Sequence, residues 1–175
     1  MHWYATYEGD SMETNRIRTL AGAAAKGALA GLAGVAAMTA GEKIEQALTH
    51  RPNSYVPART LLGLLGRDPG DAAQPPVWNH VMHWGTGAVL GALRGIWSVT
   101  GIRGPVANST HTVVRLATDQ TLENGTGVGA PPTSWPAGEL AVDVLHKAVY
   151  SWTTGLVSDA WIPPVLESRR GTSSH

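Results

Sequence analysis

Glu139, Asp143, His146 and Tyr150 fall at i, i+4, i+7 and i+11, a spacing that stacks four ionisable side chains along one face of a helix. Two other segments repeat the pattern. His80 and His83 stand at i, i+3 between Trp78 and Trp84, and His111, Arg115 and Asp119 follow at fourfold spacing. Glu42 and Glu45 add two carboxylates near the end of the first long apolar stretch. If helices bring these groups together, two chemistries are within reach. A carboxylate beside an imidazole raises its basicity and fixes its tautomer, which makes His146, oriented by Asp143, the candidate acid/base. In that scheme Glu139, Tyr150, His111, Arg115, Asp119, His80 and His83 are binding residues. Histidines and carboxylates facing one another in a bundle are also the donor set of di-iron carboxylate proteins. The Glu-x-x-His signature of that class is absent and Asp143-x-x-His146 only approximates it, so the expectation is no cofactor, with a His/carboxylate-bound transition metal as the exception to test.

The remaining composition excludes more than it supports. With no cysteine, disulfides, thiolate catalysis and Cys-ligated zinc are ruled out. Thirteen Lys and Arg balance thirteen Asp and Glu, so the basic surplus expected of a nucleic-acid binder is missing. No Walker or Rossmann glycine loop, G-x-S-x-G elbow or H-E-x-x-H occurs.

Helices must position these residues, since no segment alternates as a strand would. The punctuation predicts an all-α fold of four main helices in a bundle plus one short connecting helix. A flexible lead over 1–13 ends in a capping box, Asp10-Ser11-Met12-Glu13. A helix over 14–49 stops at His50-Arg51-Pro52, and a short helix opens at Pro57 and ends near Gly66. Pro75-Pro76 introduces a helix over 77–100, Pro105 one running to Asn124-Gly125, and Pro136 one that ends before Pro163-Pro164. The whole reads as a single domain over 14–162 with a flexible tail over 163–175.

Charged residues make up 15% of the chain, against about 25% in an average soluble domain. Gly27 and Gly31, and Gly87, Gly91 and Gly95, form glycine stripes of the kind that lets membrane helices approach closely. The mean hydropathy of -0.07 pulls the other way. Together these features point to a membrane location, lipid contact, and self-association through the glycine-striped helices. Arg94, on one such helix, then needs a carboxylate from another helix, with Asp119 and Asp143 as the candidates. On the last helix Val142, Leu145, Val149, Trp152 and Leu156 form an apolar stripe. In water that stripe faces the core and the ionisable stripe faces solvent; in lipid the two exchange places.

In order along the chain, His80 and His83, then His111, the Pro131-Pro132 loop, and Glu139 and His146 followed by Tyr150, resemble the YagU-like inner-membrane proteins. The likeness covers roughly 20–160. It implies a small polytopic four-helix membrane protein and carries over no catalytic residues. The segment 106–123 departs from that pattern by its polarity. Three functions are therefore expected in competition. The first is a membrane bundle whose inward ionisable residues line a pocket or path for protons, ions or a small ligand. The second is a soluble or membrane-surface His/carboxylate enzyme, with or without a metal, acting on a small hydrophobic substrate. The third is a non-catalytic structural or assembly subunit.

Overall fold

The computed structural model describes residues 4–68, 70 and 72–167. Five α-helices and one 3-10 turn make up its regular structure: α1 (Tyr4–Thr49), α2 (Val56–Leu64), α3 (Pro76–Val99), α4 (Gly104–Gly125), the turn Pro132–Ser134, and α5 (Ala137–Trp161). Four of the helices are long and α2 is the short connector. Prolines stand in the first turn of α2, α3 and α4, where a missing N–H costs nothing. His50 ends α1 in the left-handed conformation, with φ of 59°, and its N–H reaches back to the Gln46 carbonyl.

Helix α1 starts at Tyr4, ten residues ahead of the expected Thr14, so Asp10–Glu13 lies within the helix and not at its start. No proline interrupts 4–49, and the helix simply continues back through that segment. At the other end, the first residues of the expected tail are docked. The Leu166 N–H donates to the Val99 carbonyl at 2.9 Å, next to Ile162, the buried last residue of the expected domain. The rest of that tail, 168–175, lies outside the described residues.

The long helices run up, down, up, down. Gly27 meets Gly95 while Gly31 meets Gly87 and Gly91, so α1 and α3 are antiparallel. Asp119 meets Lys147 and Asn108 meets Gly155, so α4 and α5 are antiparallel as well. Contact between α1 and α3 is backbone on backbone. A Cβ added at Gly27 would stand 2.7 Å from the Gly95 Cα, and one at Gly31 would stand 2.9 Å from the Gly91 Cα. Each stripe therefore covers the other within one chain. The expectation that these faces bind a second copy is corrected accordingly: they are already occupied by each other.

Beside an apolar core of Val35, Met38, Leu90 and Tyr150, many polar side chains face inward and many apolar ones outward. Arg94, Ser98, Asn108, His111, Arg115, Asp119, Lys147, Ser151, Thr154 and Ser158 are buried, while Leu29, Val89, Val106, Val113, Leu145 and Leu156 are each more than half exposed. Over 140–161 every exposed position of α5 is Ala, Val, Leu or Trp. On α4 the exposed positions over 106–121 are Val, Ala, Ser and Thr, without a charge. The charges of 106–123 thus keep off the exposed face, which still carries Ser109, Thr110 and Thr121. Among the described residues one helical stretch, Glu13–Thr49, is long and apolar enough by composition to cross a membrane.

Candidate functional site

The end of the bundle formed by the C-terminal part of α1, by α2, and by the starts of α3 and α5 encloses a cavity of about 620 Å³, with the end of α4 as a further wall. Its wall carries the carboxylates Glu42, Asp119, Glu123, Glu139 and Asp143, the cations Lys43, Arg51, Arg115 and Lys147, and the imidazoles of His80, His83 and His146. Asn79 fixes the α2 side. Its Oδ1 accepts from the Ala58 N–H at 3.2 Å, and its Nδ2 donates to the Ser54 carbonyl at 3.2 Å.

An alternating chain of charges crosses the wall between α4 and α5. Arg115 Nε donates to Asp119 Oδ2 at 3.0 Å, Lys147 Nζ lies 3.5 Å from the same oxygen, and Lys147 also holds Asp143 Oδ1. Arg115 and Lys147 keep only 4% and 10% of their side-chain surface exposed, so the chain is largely removed from water. Several polar atoms of the wall have no hydrogen-bond partner among the described residues: Thr39 Oγ1, Thr60 Oγ1, His83 Nε2, Arg115 Nη1 and Asp143 Oδ2. Buried polar atoms without partners are rare and call for an explanation. Half of the ten such atoms among the described residues belong to residues of this one cavity, where water or a ligand can supply the missing partners.

Seven of the nine residues singled out in the sequence line this cavity. Glu139 and His80 are exposed there, while His83, Asp143 and His146 are half-buried and Arg115 and Asp119 are buried. Tyr150 and His111 do not line it. Tyr150 is fully buried behind Arg115, whose guanidinium lies 5.0 Å from the centre of the ring, and its hydroxyl donates to the Gly87 carbonyl at 2.7 Å. The His111 ring packs on Tyr150 with centroids 5.6 Å apart, and its Nε2–H donates to the Leu90 carbonyl at 3.1 Å. Both act as internal braces.

The expected pairing of His146 with Asp143 does not form. Lys147, one full turn from Asp143 on the same helix, holds Asp143 Oδ1 instead, and Oδ2 is left without a partner. Nor do the histidines and carboxylates assemble a metal centre: among the described residues no group of three or more is placed to hold an ion. Lys147, Glu123, Thr39 and Thr60 belong to the cavity without having been expected there. For Lys147 a signal exists in the sequence, its i, i+4 spacing from Asp143; for the two threonines and Glu123 no comparable signal exists.

Glu123 closes the cavity near the end of α4. Burial pushes its carboxyl up from about 4.5 to about 7, with Asp119 and Asp143 adding to the rise and Lys147 and Arg115 opposing it. On the rim, the Arg51 guanidinium holds the Glu45 carboxyl below its usual range through a 2.9 Å bond. Glu123 gives the protein a pH dependence of known sign. A carboxyl whose folded pKa is raised stabilises fully below its unfolded pKa and less as pH rises through the folded one. Stability should fall between about pH 4.5 and 7, and Glu123→Gln should flatten that slope in denaturant titrations at stepped pH. An unchanged slope in the variant removes Glu123 as its source.

A second polar cluster ties the opposite end together. Arg94, fully buried, does not reach Asp119 or Asp143 as expected; its partner is Asp159, one bundle end away from those residues, with Nη2 at 2.9 Å from Oδ2. The same Nη2 donates to Asn108 Oδ1 at 2.8 Å, and Nη1 donates to Ser98 Oγ, which donates on to Asp159 Oδ1 at 2.8 Å. The Gly104 N–H adds a 3.0 Å bond to Asp159 Oδ2, and Arg103 clasps the carbonyls of Asp159 and Ile162. Gly101 and Gly104, with φ of 93° and 78°, let the α3–α4 turn fold over this cluster. The cluster joins α3, α4 and α5. Compared with models of protein families, with curated proteins and with solved structures, the chain shows no match to any of them.

Proposed function

We propose that the protein is a small membrane-embedded helical bundle whose inward ionisable residues line a pocket for ions, protons or a small ligand. The observation that carries this reading is an uncharged, largely apolar outer face around an interior that holds many polar and charged side chains. Water favours apolar groups inside; a hydrocarbon surround favours them outside, with ionisable groups turned towards partners or a cavity. The uncharged outer surface extends over 81–99, 106–121 and 140–161, and over 20–40 with Lys26 as its one exposed charge. Lys26 has the long stem that lets an ammonium reach a headgroup. With 22 or more residues each, α1, α3, α4 and α5 are at least about 33 Å long, enough for a hydrocarbon layer of about 30 Å, and among the described residues the stretch Glu13–Thr49 of α1 is apolar enough as well. A place among YagU-like inner-membrane proteins belongs to the same proposal and is supported by the order of the histidine, proline and carboxylate landmarks.

Fractionation tests it. Expressed in bacteria, the wild type should stay with carbonate-washed membranes and need detergent for release. Leu156→Arg, placed on the outer face of α5, should cut the inserted fraction, because an Arg facing hydrocarbon is unfavourable by up to about 2.5–3.5 kcal/mol, the value reached at the bilayer centre. Wild-type protein found wholly in the supernatant, with Leu156→Arg harmless, sinks the reading. That result would favour the second one, a soluble or membrane-surface enzyme, whose support is the gathering of His80, His83 and His146 with carboxylates on one cavity.

A further inference from the structure

Two ends of the charge chain in the cavity wall are left unmatched, and they have opposite character. Arg115 Nη1, on the guanidinium that lies over the Tyr150 ring, can only donate, and Asp143 Oδ2, on the carboxylate paired with Lys147, is left to accept. Between them, Asp119 and the Lys147 ammonium are engaged with each other and with their neighbours. An anion alone would meet Arg115 and leave Asp143 unmet; a cation alone would do the reverse.

We propose that the cavity is a binding site for a zwitterion: a small molecule or headgroup whose carboxylate or phosphate sits on Arg115 and whose ammonium sits on Asp143. The charge count agrees. Five carboxylates and four cations line the cavity, so a ligand there meets charges of both signs. Thr60 Oγ1, in a residue with no exposed surface, and Thr39 Oγ1 supply further bonds to either group, and His83 Nε2 another. Met38, Met82, Val56, Leu122 and Val142 give the same cavity an apolar side for the remainder of the molecule. Such a group has two sources, a free amino-acid-like solute or the headgroup of a zwitterionic lipid. The proposal rests on the pocket reading but not on placement in a bilayer, so it is tested on a separate axis.

The full chain is purified, in detergent if it fractionates with membranes and in buffer otherwise, and titrated calorimetrically with L-leucine and with O-phosphoethanolamine. Acetate and ethylamine serve as singly charged controls. At least one zwitterion should bind ten-fold or more tightly than either control. Asp143→Asn, which keeps the shape of the side chain and removes its charge, should weaken that binding ten-fold or more. Arg115→Gln should abolish it; because Arg115 also braces Asp119 and could be needed for folding, the deciding variants are Asp143→Asn and Thr60→Val, each checked for native circular dichroism. Repeating the titration in nanodiscs separates the sources. Binding undiminished in phosphatidylethanolamine discs relative to phosphatidylglycerol discs assigns a solute, and binding suppressed in the former assigns the lipid headgroup. Controls that match the zwitterions, neither zwitterion binding, or Asp143→Asn and Thr60→Val both binding like wild type would each overturn the proposal.

Discussion

Asp159→Ala is expected to destabilise the protein by about 3–5 kcal/mol, the usual result of removing one partner from a buried ion pair. Arg94 has no exposed surface, so its guanidinium cannot turn to water when the carboxylate is lost. The Ser98 hydroxyl and the Gly104 N–H lose their acceptor in the same step. For a chain of this size that corresponds to a fall in Tm on the order of 10 °C. Thermal unfolding followed by circular dichroism measures it, with Asp159→Asn as the comparison, since an amide keeps an acceptor oxygen and should cost less. A Tm for Asp159→Ala within a degree or two of wild type would mean that Arg94 is not sealed from solvent.

Gly91→Ala should destabilise by about 1–3 kcal/mol, as overpacking does, even though alanine favours a helix interior by about 1 kcal/mol. The added methyl would stand 2.6 Å from the Gly31 Cα and 2.8 Å from the Gly31 nitrogen. Both are backbone atoms that cannot rotate away, so α1 and α3 must separate along their whole glycine seam. Gly22→Ala, on the same α1 but with nothing within 4 Å of the new atom, should instead raise stability by about 0.5–1 kcal/mol. Chemical denaturation of the two variants gives shifts of opposite sign. Two shifts of the same sign would show that helix propensity, not helix contact, governs these positions.

The helices are legible in the sequence because proline and glycine punctuate them. The starts of α3 and α4 and the end of α5 fall within a residue or two of Pro75-Pro76, Pro105 and Pro163. The start of α1 is not, because a capping signature such as Asp10-x-x-Glu13 offers a boundary only where the chain would otherwise leave the helix. At the site, spacing correctly groups Arg115 with Asp119, which is a matter of one helix. Choosing among acceptors on other helices is a matter of which bundle end each residue occupies, and periodicity carries no such information. Spacing therefore offers Asp119 or Asp143 to Arg94, when Asp159 stands at its own level. Residue type misleads in a similar way at the cavity: histidine is the more familiar proton carrier, yet Lys147 is what holds the carboxylates together.

The reach of the Arg94–Asp159 bond along the chain bears on biogenesis. The two residues are 65 positions apart, and at about 5–20 residues per second a ribosome needs roughly 3–13 s to make the second after the first. Throughout that interval α3 carries a guanidinium with no counter-ion of its own. Synthesis of the last helix is therefore what supplies the carboxylate for Arg94, and a chain stopped before it would leave that guanidinium both unpaired and uncovered.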